Sequence, residues 1–293
     1  MIMKKIKLAY FGSPSFAADL LEKLIIDTTI NQLIEVELVV TQEDRLVGRK
    51  QILTPTPVKK VAEKYNLKLL APRSSKSEVG EILKCDIALV YAYGDLIPKE
   101  FLDLPKYGFW NIHPSLLPKY RGPGPITNPL INGDKITGVT IIKMDEEIDH
   151  GPIIVQESLM IGEDDKRPDL EKKLTDLGFE MIKKLLMQVE KKPVKPIEQN
   201  HNDATYTKKL TKQDGFIEIS KLKDQISKNS KELFNLFRGL TLWPGIWTTL
   251  PNGKRLKITN MYYNDEKLTI KKVQLESKNE VDFETFNKVY KIF

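Results

Sequence analysis

With 293 residues, 41% of them apolar and 29% charged, the chain is long enough for two globular domains and has the composition of neither a disordered tail nor a coiled-coil rod. Its single cysteine, Cys85, excludes an internal disulfide and any multi-cysteine metal site, and no stretch approaches the roughly eighteen apolar residues of a membrane span. The net charge of +6 is uneven: residues 206 to 293 hold 17 lysines and arginines against 10 acids, so the remainder is close to neutral and the basic end suits either a polyanionic partner or a solvated lysine face.

In chain order, the apolar run Ile6 to Phe11 is too short for a signal-peptide core and reads as a strand, and a cytoplasmic location is expected. Val36 to Val40, Ile87 to Tyr91 and Phe109 to Ile112 are similar runs, near-continuously apolar as strands buried on both faces are. Between them Pro14 to Ile26, Pro57 to Tyr65 and Ser77 to Leu83 carry helical patterns, with Pro14 and Pro57 suited to a first turn. Strand alternating with helix predicts an α/β fold, a Rossmann-like and mostly parallel sheet flanked by helices. Ligands of such sheets lie beyond the carboxyl ends of the strands, so the segments after Phe11, Val40, Tyr91 and Ile112 are where chemistry is expected.

A Pro/Gly-rich loop then runs to Pro125, followed by a helix Ile126 to Asn132, β-rich stretches Gly138 to Met144 and Ile153 to Leu159, and a long helix from Pro168 to Glu190. Lys191 to Thr205 loses periodicity and reads as a linker, so residues 1–190 are expected to form one domain and 206–293 another. In the second, Lys231 to Arg238 is helical in pattern. Ile246 to Leu250, Arg255 to Tyr263 and Leu268 to Leu275 are strands parted by turns at Pro251-Asn252-Gly253 and Asn264-Asp265, which predicts a small C-terminal β-barrel of the OB-like kind.

Histidine is scarce, with three in the chain. His113 follows a strand end in Asn111-Ile112-His113-Pro114-Ser115-Leu116-Leu117-Pro118, where an imidazole beside a side-chain amide can serve as a general base next to a donor for a developing oxyanion. Asp149, in the tight loop Asp145-Glu146-Glu147-Ile148-Asp149-His150-Gly151-Pro152, can orient that imidazole if the loop reaches the same sheet edge. A structural loop histidine and a turn aspartate are the competing readings of the same residues.

The run Asn111 to Pro118, continued by Lys119-Tyr120-Arg121-Gly122 and followed by Gly138-Val139-Thr140 and Ile148-Asp149-His150-Gly151, resembles the 10-formyltetrahydrofolate-dependent formyltransferase family. The resemblance implies that Asn111, His113 and Asp149 are catalytic, that Ser115, Leu116, Leu117 and Pro118 line the folate donor site, and that Tyr91, Ala92, Tyr93 and Gly94 form the strand end near the pterin. It implies 10-formyltetrahydrofolate as formyl donor and no metal. Pro123-Gly124-Pro125 and His150 depart from the residues the family usually carries there.

Segments outside this core resemble the branch of the family that formylates the methionine of charged initiator tRNA. They are Phe11-Gly12-Ser13-Pro14-Ser15-Phe16-Ala17, the basic loop from Thr41 to Lys60, Thr205-Tyr206 with Lys209-Leu210, and Trp243-Pro244-Gly245 with Trp247. The first of these lacks the three-glycine dinucleotide fingerprint. The resemblance implies that Arg45, Arg49 and Lys50 contact tRNA, and that the C-terminal module is a tRNA-binding barrel. The basic loop weighs against the sugar-nucleotide branch of the family. The loop is expected to lack regular structure without RNA, since a long polar segment has little to bury, and the protein is expected to act as a monomer.

Overall fold

Strands that are apolar at nearly every position can be buried only between two layers, and the first half of the chain builds such a sandwich of helices around a sheet. The computed structural model describes all residues except 1–4, 49, 71–83, 190, 192–193, 229 and 293. Strands β1 (Ile6–Gly12) and β2 (Ile34–Val40) are followed by a hairpin, β3 (Arg45–Val47) with β4 (Ile52–Thr54). Then come β5 (Leu69–Leu70), β6 (Ile87–Tyr91), β7 (Phe109–His113), β8 (Ile136–Lys143) and β9 (Ile153–Met160). The main sheet runs β5-β2-β1-β6-β7-β8-β9, parallel through β7 and antiparallel at β8. This is the mostly parallel sheet the sequence pattern predicts.

The two faces of the sheet separate by residue parity. Ala9 and Phe11, Leu38 and Val40, Ala88 and Val90, and Phe109 join one buried cluster with Tyr93 and Leu102. Leu8, Tyr10, Leu89, Tyr91, Trp110 and Ile112 are buried by the opposite layer. There the helix Arg167–Gln188 lies close to the sheet: a Cβ on Gly178 would stand 3.1 Å from Ile112 Cγ2, and Tyr91 Oη meets Thr175 Oγ1 at 3.0 Å.

The structure divides the chain into two compact units. The first comprises Met1–Arg121, Gly138–Ser158 and Lys172–Tyr206; the second comprises Gly122–Thr137, Leu159–Glu171 and Thr207–Phe293. Two features differ from the sequence reading. Residues after Pro193 do not behave as a tether: Ile197 exchanges two main-chain hydrogen bonds with Ile153, at 2.7 and 2.8 Å, and Gln199 is buried. The second unit also recruits earlier segments. Buried Arg238 donates to the carbonyls of Gly162 and Glu163 at 3.0 Å, and the helix Thr127–Asn132 approaches Gly239 so closely that a Cβ there would lie 2.6 Å from Ile131.

The C-terminal β-module is an antiparallel sheet of β10 (Ile246–Thr249), β11 (Arg255–Asn264), β12 (Lys267–Leu275) and β13 (Glu280–Asp282), a sparser arrangement than the small barrel expected. Helices Ile219–Lys228 and Ser230–Leu240 contribute Leu222, Leu233, Phe234 and Phe237 to its core. The predicted helix Ser77 to Leu83 lies outside the described residues, as does Arg49. The loop after β2 departs from its expected irregularity. Its base is held by Thr41 Oγ1 and Thr56 Oγ1 at 2.7 Å and by the Asp44–Lys59 ion pair at 2.8 Å, and the segment between folds into the β3–β4 hairpin. Alternating β-branched and leucine residues around Gly48, at φ 73°, supply strand and turn signals that overall polarity obscures.

The helix Ser15–Ile26 runs into a short second helix, Thr28–Leu33, through Asp27. The Asp27 carboxylate accepts from the amides of Thr29 and Ile30 at 3.0 and 2.9 Å and from Lys183 Nζ at 2.7 Å. Lys183 first, then the Ile30 amide, hold its carboxyl below the ordinary range. A depressed carboxyl stabilises the fold above the unfolded pKa and ceases to do so as pH falls through the folded one. Asp27→Ala is therefore expected to cost about 1 kcal/mol at neutral pH, with the gap between variant and wild-type melting curves closing in acid. A gap independent of pH would show that the carboxylate charge plays no part.

Candidate active site

An Asn-x-His spacing on a strand puts both side chains on the same face. Asn111 and His113 project beside Phe109 from the carboxyl end of β7, whose neighbour β6 aligns Val90 with Asn111. On the other side β1 aligns Gly12 with Tyr91, so the ends of three parallel strands stand in a row. Their exits are stitched together. Ser13 Oγ donates to the Tyr93 carbonyl at 2.9 Å and accepts from the Gln42 amide at 3.3 Å, while Gln42 Nε2 reaches Asp95 at 3.1 Å.

Asp149 arrives from the β8–β9 loop, and the sheet edge brings it to the same place as the other two predicted residues. Asn111 Nδ2 donates to Asp149 Oδ1 at 3.0 Å, and His113 Nδ1 stands 3.3 Å from that oxygen. The far ring nitrogen, Nε2, lies 3.0 Å from the Tyr120 carbonyl. Carbonyl and carboxylate both only accept; with its hydrogen on Nε2, neutral His113 donates to the Tyr120 carbonyl and its Nδ1 stands beside Asp149 and Asn111. Both partners are shielded, the His113 and Asp149 side chains being 5% and 12% exposed. Asp149 takes a left-handed φ of 52°, a conformation that costs a non-glycine residue about 1–3 kcal/mol and persists only where its surroundings impose it.

Gly151 is part of what imposes it. A Cβ there would stand 1.9 Å from the Lys143 carbonyl, so the loop can fold back on β8 only with glycine at this position. Gly138 serves β8 in the same way, since its Cβ would meet the Glu157 carbonyl at 2.2 Å. Two residues on, Thr140 Oγ1 donates to Ser115 O at 2.6 Å and accepts from the Leu117 amide at 3.0 Å, with Gln156 Nε2 bridging Thr140 Oγ1 and Leu117 O at 2.8 and 2.9 Å. Thr140 and Gln156 thereby shape the Ser115–Pro118 turn, with its cis Leu117–Pro118 peptide, as a rigid rim above β7.

The predicted donor-site residues divide by exposure. Ser115 and Tyr91 are fully buried, with Ser115 Oγ donating to Lys119 O at 2.7 Å and Tyr91 packed on Phe16. Leu117 and Tyr93 are also buried, and burial, with the Asp95 charge behind it, pushes the Tyr93 phenol up to about 12, so that it stays neutral. Leu116 and Pro118 are half-buried, while Ala92 and Gly94, both at positive φ, are exposed. Arg45 and Lys50 are exposed on the β3–β4 hairpin. Among the described residues no group of three or more His, Cys, Asp or Glu could hold a metal ion.

Sequence reading passed over Gln156 and Gln199. Gln199 sits in the segment read as linker, yet its Nε2 lies 2.9, 3.0 and 2.8 Å from the carbonyls of Asp149, His150 and Gly151. Isolated bridges from Ile197 to Ile153 and from Tyr206 to Arg121 hold the two ends of the segment, and such pairing has no signal in the local sequence.

Residues 4–186 match the formyl transferase family and residues 209–268 match the formyl transferase C-terminal domain. The methionyl-tRNA formyltransferase of Caldicellulosiruptor saccharolyticus is 42% identical over 87% of this chain and 79% of its own. That of Mesoplasma florum is 37% identical over 94% of this chain and 82% of its own. Among solved structures, a 4-N formyltransferase from Francisella tularensis aligns with a TM-score of 0.66 at 21% identity, covering 87% of this chain and 97% of that one. The sugar 3N-formyl transferase WlaRD aligns at 0.61 with 19% identity, covering 94% and 100%. At those identities the two structures share the fold.

The Gly151 contact generates a direct test. Gly151→Ala is expected to lower unfolding free energy by about 2–4 kcal/mol, because the clash is with main chain that cannot rotate away. Gly253→Ala, where nothing lies within 4 Å, is expected to cost about 1–2 kcal/mol from its φ of 79° alone. Equal urea midpoints for the two variants would contradict this.

Proposed function

The chain belongs to the formyl transferase family, and on that premise we propose that it transfers the formyl group of 10-formyltetrahydrofolate to the α-amino group of methionyl initiator tRNA. The observation that carries the chemistry is the convergence of Asn111, His113 and Asp149 at one strand end. Identity of 37–42% over most of the chain to methionyl-tRNA formyltransferases supports the acceptor.

The rim residues fit a folate. A flat heteroaromatic ring needs apolar surface beside main-chain donors and acceptors, which Leu116, Pro118 and the exposed Ala92-to-Gly94 backbone offer at adjacent strand ends. When bound, 10-formyltetrahydrofolate supplies an activated formyl carbon. His113 Nδ1 is the ring nitrogen able to take the proton that the attacking amine must lose. The imidazolium then formed lies 3.3 Å from the Asp149 carboxylate, which balances its charge. Asn111 has two hydrogens on Nδ2. One is given to Asp149, and the other is available to the formyl oxygen as negative charge develops there. The Tyr120 carbonyl accepts from the other ring nitrogen, which leaves Nδ1 as the nitrogen on the Asp149 and Asn111 side of the ring.

The acceptor strand is proposed to be gripped through phosphates by Arg45, Arg49 and Lys50, while the basic C-terminal residues 206–293 add affinity along the tRNA. Protein in the cytoplasm meets both substrates, and the described residues include no helix long and apolar enough to cross a membrane. One protomer carries every residue invoked, so the proposal is for a monomer.

The deciding experiment offers the purified protein 10-formyltetrahydrofolate with charged initiator tRNA or with a nucleotide-linked amino sugar. Transfer to the tRNA supports the reading, and transfer to the sugar alone sinks the acceptor assignment. Asn111→Ala is expected to lower kcat about 10²–10³-fold with the melting temperature held. Near-normal turnover would remove Asn111 from the mechanism. Arg45→Ala with Lys50→Ala is expected to raise KM for tRNA and flatten its dependence on salt while kcat holds; an unchanged salt slope would detach the hairpin from the RNA.

A further inference from the structure

Three consecutive carbonyl oxygens do not normally point at one another, because their partial charges repel. The carbonyls of Asp149, His150 and Gly151 nevertheless converge on a single nitrogen, Gln199 Nε2, at 2.9, 3.0 and 2.8 Å. The convergence requires the left-handed turn at Asp149, and the Gln199 side chain that accepts it is buried, with 5% of the residue exposed. Its amide orientation is not free to reverse. Gln199 Oε1 accepts from Arg121 Nη2 at 2.7 Å, and a flipped amide would set oxygen against three carbonyls and nitrogen against a guanidinium. Arg121, itself 1% exposed, also lies with Nη2 2.8 Å from His201 Nδ1 and with Nη1 3.2 Å from Tyr206 Oη.

The strap from Ile197 to Tyr206 touches the catalytic centre from a second side. Thr205 Oγ1 accepts from the Tyr120 amide at 2.9 Å and Thr205 O accepts from the Arg121 amide at 2.9 Å. The Tyr120 carbonyl is the acceptor for His113 Nε2. Two residues along the strap from Gln199, the His201 ring stacks on His150 with centroids 3.9 Å apart and planes 3° from parallel, and His150 Nδ1 is fixed by Asp145 Oδ2 at 2.6 Å. One strap thus holds both groups between which the His113 ring is suspended, the Asp149 carboxylate through its turn and the Tyr120 carbonyl through its amide.

We propose that Gln199, seated on Arg121, is a positioning residue for the transfer, fixing the span between Asp149 and the Tyr120 carbonyl and so the position of the His113 ring. This rests on the reading of Asn111, His113 and Asp149 as the transfer site. Gln199 touches no reacting atom. Its contribution reaches the reaction through Asp149, and the contribution therefore disappears when Asp149 no longer acts.

The test is a double-mutant cycle read in single-turnover formyl transfer to methionyl-tRNA. Gln199→Met keeps the volume and removes the donor. It is expected to lower the transfer rate about 10–100-fold, as loss of an orienting partner typically does, with KM for both substrates within about threefold. In an Asp149→Asn background the same change is expected to lower the rate less than about threefold. Full additivity, or a loss confined to KM, overturns the proposal. Gln199→Glu, which keeps the acceptor for Arg121 but turns an oxygen toward the three carbonyls, is expected to show the same coupling if Gln199→Met does not fold. If neither folds, Gln199 is a residue of the fold and the proposal fails. Should the wild-type protein transfer no formyl group to tRNA, the functional reading fails separately. The imidazole nitrogen chemical shifts of His113 then decide this proposal, which requires them to change in Gln199→Met and is overturned if they do not.

Discussion

The His113 ring, with a carboxylate oxygen 3.3 Å from one nitrogen and a main-chain carbonyl 3.0 Å from the other, imposes the strictest geometric demand in the first unit. Neither acceptor can be moved by much without changing which nitrogen carries the hydrogen. Both come from loops, the least rigid parts of a fold, so each loop needs an independent anchor. The β8–β9 loop has Gly151 against the Lys143 carbonyl and Gln199 beneath its turn, and the turn before Tyr120 has Thr140, Gln156 and Thr205. The parallel sheet supplies the fixed frame. Its strand ends place Asn111 and His113 where burial of Phe109 and Ile112 on opposite faces leaves β7 no freedom to slip register, since a shift of one residue would turn Asn111 into the wrong layer.

The cluster of Asn111, His113 and Asp149 is small and polar within an otherwise apolar sheet end. In the proposed reaction, the hydrogen bond from Asn111 and the charge of Asp149, shielded from water, would be screened less than at a surface and would need no reorganisation as charge develops. The strained φ at Asp149 belongs to the same economy, since a cost of a few kilocalories is met by the carbonyl contacts of Gln199. The second unit has a different character. It is a four-stranded antiparallel sheet packed with helices, with Leu222, Phe234, Ile258 and Val273 inside, and its residues 207–293 carry 17 lysines and arginines against 10 acids. In the proposed function that net charge suits a polyanion gripped at many weak points.

The chain by itself determined the main sheet, most of its helices and the placing of Asn111 and His113 on one strand face, because each is written in local pattern: apolar runs for doubly buried strands, Pro57 at a helix start, Asn-x-His on a strand. The resemblance of its motifs to the formyltransferases is likewise carried by short runs of sequence. What the tertiary structure alone decided is where loops close. That Asp149 reaches His113 and that residues 197–206 are a strap depend on partners dozens of residues away. Gln199 shows the reason most plainly. Its neighbours Asn200, His201 and Asn202 have the composition of a loop, and nothing local distinguishes a solvated glutamine from one whose amide is buried beneath a turn 48 to 50 residues earlier. Composition records a residue's capacity to hydrogen-bond. The direction in which that capacity is spent is a property of the packed chain.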